Sequence, residues 1–384
     1  MRQLVGLREV RSLGGMRSLY GIIHRAEQLG RPFELVELDG GIVLGLGEPR
    51  VAESGAPGPR FHALRFGEST LGPGRWYPVV VAADWSRIAV VGYEAEDGAF
   101  SSEPAVWDIE ELAYDRAPLV GALIDHDLAG ARARIEAAIE MVRQGALRKI
   151  VVASWACWQP SERFSIAAAA SRLKREHPHA HLYASPHWVG ATPELLAKTS
   201  GSWARLEPLA GTARRGAQAR LLASRKDRLE HELMVQQLIE DLAQVAKELK
   251  RPSAPLLFDA GPFVHLATPI AATLLPGLGY ADLLAAIVPT AAVGGVPRPV
   301  AADLLATWEP WRGQYGGAVG VSDPSGDGEF YLSIRGATID DGGCVRVAAG
   351  GGVVESSSVD GELAETVAKI NAVAGVLGAA TLYA

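Results

Sequence analysis

Residues 129–158 read AGARARIEAAIEMVRQGALRKIVVASWACW, a helical pattern that runs straight into an unbroken apolar strand. Upstream the texture differs. LVELDGGIVLGLGE (35–48), RFHALRFGES (60–69), YPVVVAADW (77–85) and IAVVGYEAE (88–96) read as short alternating strands, parted by Gly/Pro-rich turns such as EPRVAESGAPGPR (48–60). Downstream, SIAAAASRLKREH (165–177) predicts a helix with Ser165 as N-cap. SRKDRLEHELMVQQLIEDLAQVAKELK (224–250) predicts a long helix lasting until Pro252. Strands cluster again between Tyr315 and Ala349, and a last helix runs from about Gly361 towards Leu377. Strands and helices fall in blocks rather than in strict alternation, which predicts an α+β fold with a large, mostly antiparallel sheet system.

The chain of 384 residues, 48% of them apolar, can bury a large core. Its 37 basic against 44 acidic residues leave a net charge of -7, with no Lys/Arg run dense enough to neutralise a phosphate backbone, so no nucleic-acid partner is expected. No apolar run approaches the ~18 residues needed to cross a bilayer, so no membrane partner is expected either. The first 25 residues carry five arginines and one acid, Glu9, as a transit peptide does. The plainer reading is the first strand and helix of the fold, with Gly14 and Gly15 as a turn before SLYGIIHRAEQLG. Cys157 and Cys344 both lie in apolar strand-like segments, in no metal or redox spacing, and are expected to be buried structural thiols in a reducing, cytoplasmic compartment.

On the last helix Glu362, Glu365 and Lys369 stand at i, i+3 and i+7, and on the long helix Asp227 and Glu230 stand at i and i+3. Two helices therefore each offer a pair of carboxylates on one face. Converging carboxylates suit a hard cation such as Mg²⁺, although the same spacing also describes solvated helix faces. AAGGGVVESSS (348–358) offers Gly350, Gly351 and Gly352, whose backbone amides can approach an anion; a tight turn explains the glycines equally well. EPLAGTARRG (207–216) offers Gly211 and Thr212 similarly, beside Arg214 and Arg215, which basic loop residues in general present to solvent. Lys149 opens an apolar strand, where desolvation would favour a general base and snorkelling is the plain alternative. Glu194, after Pro193 in GATPELL, has an apolar setting suited to a general acid.

Read in order, KIVVAS (149–154), GATPELL (190–196), PLAGTARRG (208–216), SRKDRLEHELMV (224–235), VHLATPI (264–270), VPTAAVGGVPR (288–298), WEPWRGQYGGAVG (308–320), GDGEFYLSIRGA (326–337) and AAGGGVVESSSVDGELAETVAK (348–369) resemble the chorismate-utilising enzymes. These comprise anthranilate, aminodeoxychorismate, isochorismate and salicylate synthases. The resemblance implies one domain over 1–384 with a β-sandwich core wrapped by helices, in which 1–120 is a β-rich N-terminal part and 128–377 binds chorismate. It implies Mg²⁺ as cofactor, on Glu230 and Glu365 with Glu362 and Asp227 beside them. It further implies substrate contacts at Gly211, Thr212, His265, Tyr315, Arg335, Gly350, Gly351, Gly352 and Lys369, and Lys149 and Glu194 as base and acid.

Members that add ammonia carry glutamine where Lys149 stands, so lysine implies water as nucleophile and no glutaminase subunit. Members forming a covalent lysine adduct have lysine where Ala210 stands. Ala292-Val293 and Ile334 resemble the isochorismate synthases more than the salicylate synthases, the alternative that goes on to expel pyruvate. TAAVGGVP (290–297) and WEPWRGQY (308–315) look closest to the isochorismate synthases of menaquinone synthesis, to which enzymes that feed siderophores are similar. The expected assembly is a monomer or homodimer. One departure stands out: the family usually has arginine at the position of Ser154.

Overall fold

The computed structural model describes residues 16–39, 41–52, 59–68, 70–77, 79–83, 88–92, 120–260 and 263–383. The expected turn at Gly14 and Gly15, much of the turn at 48–60 and the ends of the strand readings at 77–85 and 88–96 lie outside them.

Helix α1 (Met16–Gln28) leads into β1 (Phe33–Leu38), β2 (Gly41–Leu46), β3 (Arg50–Val51), β4 (Arg60–Leu64), β5 (Arg75–Trp76), β6 (Val79–Ala83) and β7 (Ile88–Gly92). There follow β8 (Leu123–His126), α2 (Leu128–Arg143), β9 (Lys149–Trp158), α3 (Ile166–Glu176), β10 (His181–Ser185), β11 (Trp188–Thr192), β12 (Leu195–Ser200), β13 (Trp203–Leu206) and β14 (Leu209–Arg214). Next come α4 (Gln218–Ala223), α5 (Arg225–Leu242), β15 (Ala246–Lys250), β16 (Leu256–Ala260), β17 (Phe263–Ala267), β18 (Ile270–Leu274), α6 (Tyr280–Ile287), β19 (Gly295–Val296) and α7 (Arg298–Trp308). The chain closes with β20 (Ala318–Ser322), β21 (Gly328–Leu332), β22 (Gly336–Ile339), β23 (Val345–Val353) and α8 (Val359–Val376).

Among the described residues the strands form two large sheets and one small one. The first runs β19-β9-β23-β22-β11-β10-β1-β2-β6-β7, with β8 also on β9; the second runs β15-β18-β13-β12-β21-β20-β4-β5-β3; the third is β14-β17-β16. Neighbouring strands are antiparallel throughout, as in β9 against β23 and β12 against β21, in agreement with the α+β expectation. Period-two alternation sorts the side chains into layers. On β1, Phe33 and Leu35 face the helix side with Leu19, Ile135, Leu173 and Ile370, whereas Val36 and Leu38 face the second sheet with Phe61, Val319 and Tyr331. Beyond the second sheet, Leu238, Leu242, Leu283 and Ile287 of α5 and α6 close the other side. The order is helices, sheet, sheet, helices. On β9, Ile150, Val152, Ala156 and Trp158 belong to the helix-side core, so alternation turns Lys149, Val151 and Ala153 the other way.

Ser165 caps α3, its hydroxyl accepting from the Ala168 amide at 3.2 Å. Two expectations need correction. The long helix stops at Leu242, and Ala246–Lys250 is the edge strand β15, paired with β18. A vacant sheet edge there outweighs the helical preference of AKELK, and the exposed Lys247, Glu248 and Lys250 suit an edge strand. Cys157 and Cys344 are joined in a disulfide, with Cα atoms 6.4 Å apart across 187 residues of sequence. The β9/β23 register places Cys157 opposite Arg346, two positions from Cys344, so the pairing is made by the sheet and is invisible in the spacing. It removes the basis on which two separate thiols suggested a reducing compartment.

Candidate active site

Lys149, the first residue of β9, is fully buried, and its Nζ lies 3.1 Å from Oε1 of Glu230 on α5. Glycine at 352 makes this contact possible. Gly352 pairs with Val151 across the β9/β23 ladder, and a Cβ there would overlap Glu230 Oε1 and stand 3.1 Å from Lys149 Cε. A Cβ at Gly351 would come within 2.8 Å of Glu362 Oε2. These glycines lie inside β23 and form a close-approach surface between that strand and two acidic helices, so the tight turn the sequence also allowed is not formed there.

Glu194 precedes β12 and is buried at 3% exposure. Burial pushes its carboxyl up to about 8, against the opposing pull of the Leu209 amide and the nearby Lys149. The Leu209 N–H donates to Glu194 Oε1 at 3.5 Å. A carboxyl held neutral near pH 7 within reach of the field of a buried lysine is an acid ready to donate.

The acids on the two helices meet around a residue that the sequence reading passed over. Lys226 Nζ lies 2.6 Å from Glu362 Oε1 and 3.6 Å from Glu365 Oε2. Burial alone would lower its pKa, but Glu362, Glu365 and Glu230 outweigh burial and raise it. Burial raises Glu362, while Lys369 and Lys226 overcome burial at Glu365 and hold it at about 2. Lys369 bridges Glu365 Oε1 and the Gly350 carbonyl, both at 2.8 Å. Lys226 and Glu230 are i and i+4 on α5, a spacing that could have marked the lysine as a partner of this face.

For a small divalent cation the donors are oxygen, as a hard ion requires, and Glu362 Oε2 is buried without a hydrogen-bond partner. The Lys226 ammonium already stands as a positive charge between two of the carboxylates. Among the described residues no three His, Cys, Asp or Glu side chains close on one metal-sized point. The fit is to an ion held by one or two carboxylates that keeps its other positions for water and substrate. Asp227 lies on the side of Gly211, where a Cβ would meet its own at 3.1 Å.

Arg335 is the one non-glycine residue with positive φ among those described, at 57°, a conformation that side chains enter only under constraint. Its guanidinium lies 4.8 Å from the Phe263 ring centroid; burial lowers its pKa, and Tyr315 and Glu365 oppose that. Burial likewise raises the Tyr315 phenol. His265 shares a 3.0 Å hydrogen bond with Thr212 through Nδ1, and its Nε2 is buried without a partner. Burial, reinforced by Arg335 and Lys369, drives its pKa down to about 3, so the ring is neutral. His265 and Arg335 line one cavity with His177, Pro193 and Phe263. Tyr315 lines another with Tyr183, Trp188 and Ile334. Arg214 and Arg215 are exposed, and Val293 is buried in the core under the second sheet.

A family model described as chorismate binding enzyme matches residues 123–378. The isochorismate synthase EntC of Escherichia coli K12 is 39% identical over 199 residues, 50% of this chain and 51% of EntC. The putative isochorismate synthase MenF of Mycobacterium tuberculosis is 40% identical over 200 residues, 50% of this chain and 54% of that protein. The chain thus spans about half the length of the curated relatives it matches. Among solved structures, the menaquinone-specific isochorismate synthase MenF from Escherichia coli superposes with a TM-score of 0.78 at 20% identity, covering 98% of this chain and 97% of that one. The putative 2,3-dihydroxybenzoate-specific isochorismate synthase DhbC from Bacillus anthracis gives 0.69 at 24%, covering 90% and 96%. At such identities these structures bear on the fold. No helix among the described residues is long and apolar enough to cross a membrane.

Proposed function

The chain belongs to the chorismate-binding enzyme family, and from that premise we propose that it is an isochorismate synthase, exchanging the C4 hydroxyl of chorismate for one at C2. The observation that carries this reading is a buried Glu194 carboxyl, kept protonated to about pH 8 by burial, within the electrostatic reach of a fully buried Lys149. The names of EntC and the two MenF proteins support the same product.

Arg335 and Tyr315 hold the enolpyruvyl carboxylate, and the amides of Gly350 and Gly352, which the β9/β23 ladder leaves free, receive the ring carboxylate with Thr212 and Lys369, so the ring is fixed between opposed groups. Lys149 acts as the base and takes a proton from the water that attacks C2. The ring double bond shifts, and Glu194 gives its proton to the departing C4 hydroxyl, which leaves as water. His265, neutral and tethered to Thr212, orients that hydroxyl without adding charge. Mg²⁺, when held by Glu230 and Glu365 with Glu362 and Asp227 beside them, supplies positive charge against the ring carboxylate.

Incubation with chorismate and Mg²⁺, followed by chromatography, tests the proposal. Isochorismate alone is expected; salicylate with pyruvate would instead establish a salicylate synthase, and ammonia-dependent turnover an aminating enzyme.

A further inference from the structure

The edge of β9 that carries Lys149 is completed by side chains in place of a strand. β19 pairs with Lys149 and Ile150, and β8 pairs with Ala156 to Trp158, on the edge opposite β23. Between them the backbone groups of Val151 and Ala153 have no neighbouring strand. Each is nevertheless satisfied. The Val151 amide donates to the Gly294 carbonyl at 2.7 Å, and the Val151 carbonyl accepts from Arg312 Nη2 at 2.6 Å. The Ala153 amide donates to Glu309 Oε1 at 2.9 Å, and the Ala153 carbonyl accepts from Arg134 Nη2 at 2.9 Å.

The three side chains are also bonded to one another. Glu309 Oε2 accepts from Arg312 Nε at 2.6 Å, and Glu309 Oε1 from Arg134 Nε at 3.3 Å. Arg134 continues to the Asp127 carboxylate. Arg312 continues to the Val293 carbonyl at 2.6 Å, and its guanidinium lies 5.6 Å from the Tyr315 ring centroid. The Glu309 and Arg312 side chains are 0% and 1% exposed. A buried ionic set of this kind is rigid while complete, and losing one member leaves the others unpaired.

We propose that Arg134, Glu309 and Arg312 are positioning residues: a surrogate strand that fixes β9, and with it the Lys149 amine, relative to Tyr315 and the Val293 loop. The same geometry accounts for Ser154. Residue 154 projects to the α2 side, where its hydroxyl donates to the Asp127 carbonyl at 3.0 Å, so an arginine there would enter the space that the Arg134 guanidinium fills from α2. The serine is tolerated because the helix delivers the guanidinium.

The inference rests on the isochorismate synthase reading for its kinetic arm and is independent of it for its exchange arm. Arg134→Met should lower kcat by ~10-fold or more with KM for chorismate within ~2-fold, since sub-ångström misplacement costs rate more than ground-state binding. It should also speed amide hydrogen exchange across 149–155, read by mass spectrometry. Adding Ser154→Arg should restore both. Arg134→Lys, which keeps one donor for Ala153 but not the fork, should fall between and serves if the methionine variant does not fold. Wild-type kcat and exchange in either Arg134 variant, or no restoration by Ser154→Arg, would overturn the proposal. A wild-type protein inert towards chorismate would sink the activity reading and leave the exchange comparison to judge the surrogate strand.

Discussion

Lys149 Nζ and Glu230 Oε1 stand 3.1 Å apart at the meeting of a β-strand end and an acidic helix, with the lysine at 0% exposure. A charge partner is what makes so deep a lysine tolerable, because an unpaired buried charge costs several kcal/mol. Lys149→Ala should therefore abolish the base and remove the ion pair at 3.1 Å from Glu230, leaving that carboxylate to the fields of Lys226 and Lys369. Turnover should fall by ~10²-fold or more, the scale of a lost acid–base group, in a protein whose circular dichroism still reports the fold. Normal turnover would remove Lys149 from its assigned role.

Glu194 yields a signed pH prediction. Its folded carboxyl keeps the proton to about 8, whereas an ordinary glutamate carboxyl loses it at 4.5. The folded state thus binds more protons between those values, and its stabilising contribution is complete below 4.5 and lost as pH rises through about 8. Glu194→Gln has no such dependence, so the melting temperature of the wild type should fall relative to the variant between pH 6 and pH 9. The same substitution, having no proton to give, should reduce turnover by ~10²-fold or more. Parallel melting curves at the two pH values would expose a wrong assignment of the proton.

Gly352→Ala tests the close approach. The new methyl would collide with Glu230 Oε1 and crowd Lys149 Cε at 3.1 Å, and overpacking of this kind costs about 1–3 kcal/mol. Denaturant unfolding should show that loss together with a fall in kcat. Gly378→Ala, far along the chain past α8, makes a poor control because its φ is 81°; Gly375→Ala, whose Cβ would meet nothing within 4 Å, is the better one and should leave kcat unchanged.

Lys226 and magnesium should compete for the same carboxylates. With Lys226→Met, Glu362 and Glu365 lose the ammonium at 2.6 and 3.6 Å, so the protein in chelator should melt lower than the wild type. Added Mg²⁺ should raise its melting temperature by more than it raises that of the wild type, since any ligand of the folded state stabilises by about 2.7 kcal/mol at a hundred times its Kd. Glu365→Gln should blunt the Mg²⁺ effect in both backgrounds. An identical Mg²⁺ response with and without Lys226 would show that the lysine does not occupy the ion's position.

Much of the local geometry of the candidate site was legible in the chain because it is written at short range. Glu362, Glu365 and Lys369 share a face of α8 by spacing alone, and the structure joins Glu365 to Lys369 at 2.8 Å. Lys149 opens β9 where the apolar run begins, and Ser165 caps α3 as its position before IAAAA suggested. Each of these depends on residues a few positions apart, whose geometry the helix or strand period dictates.

Contacts between distant segments were not legible. The end of α5 at Leu242 depends on β18 offering an edge to Ala246–Lys250; the Cys157–Cys344 disulfide depends on the β9/β23 register; Lys226 matters because α5 and α8 bring its amine to Glu362. Arg134, Glu309 and Arg312 are unremarkable in sequence and become a substitute for a missing strand only where β8 and β19 leave β9 uncovered. The sequence by itself determined most of the element types, the α+β class and the acids and lysine that one helix face presents, because local periodicity fixes those. The tertiary structure alone decided which charges neutralise each other and which backbone groups are left for side chains to satisfy, because those depend on the segments that burial brings together.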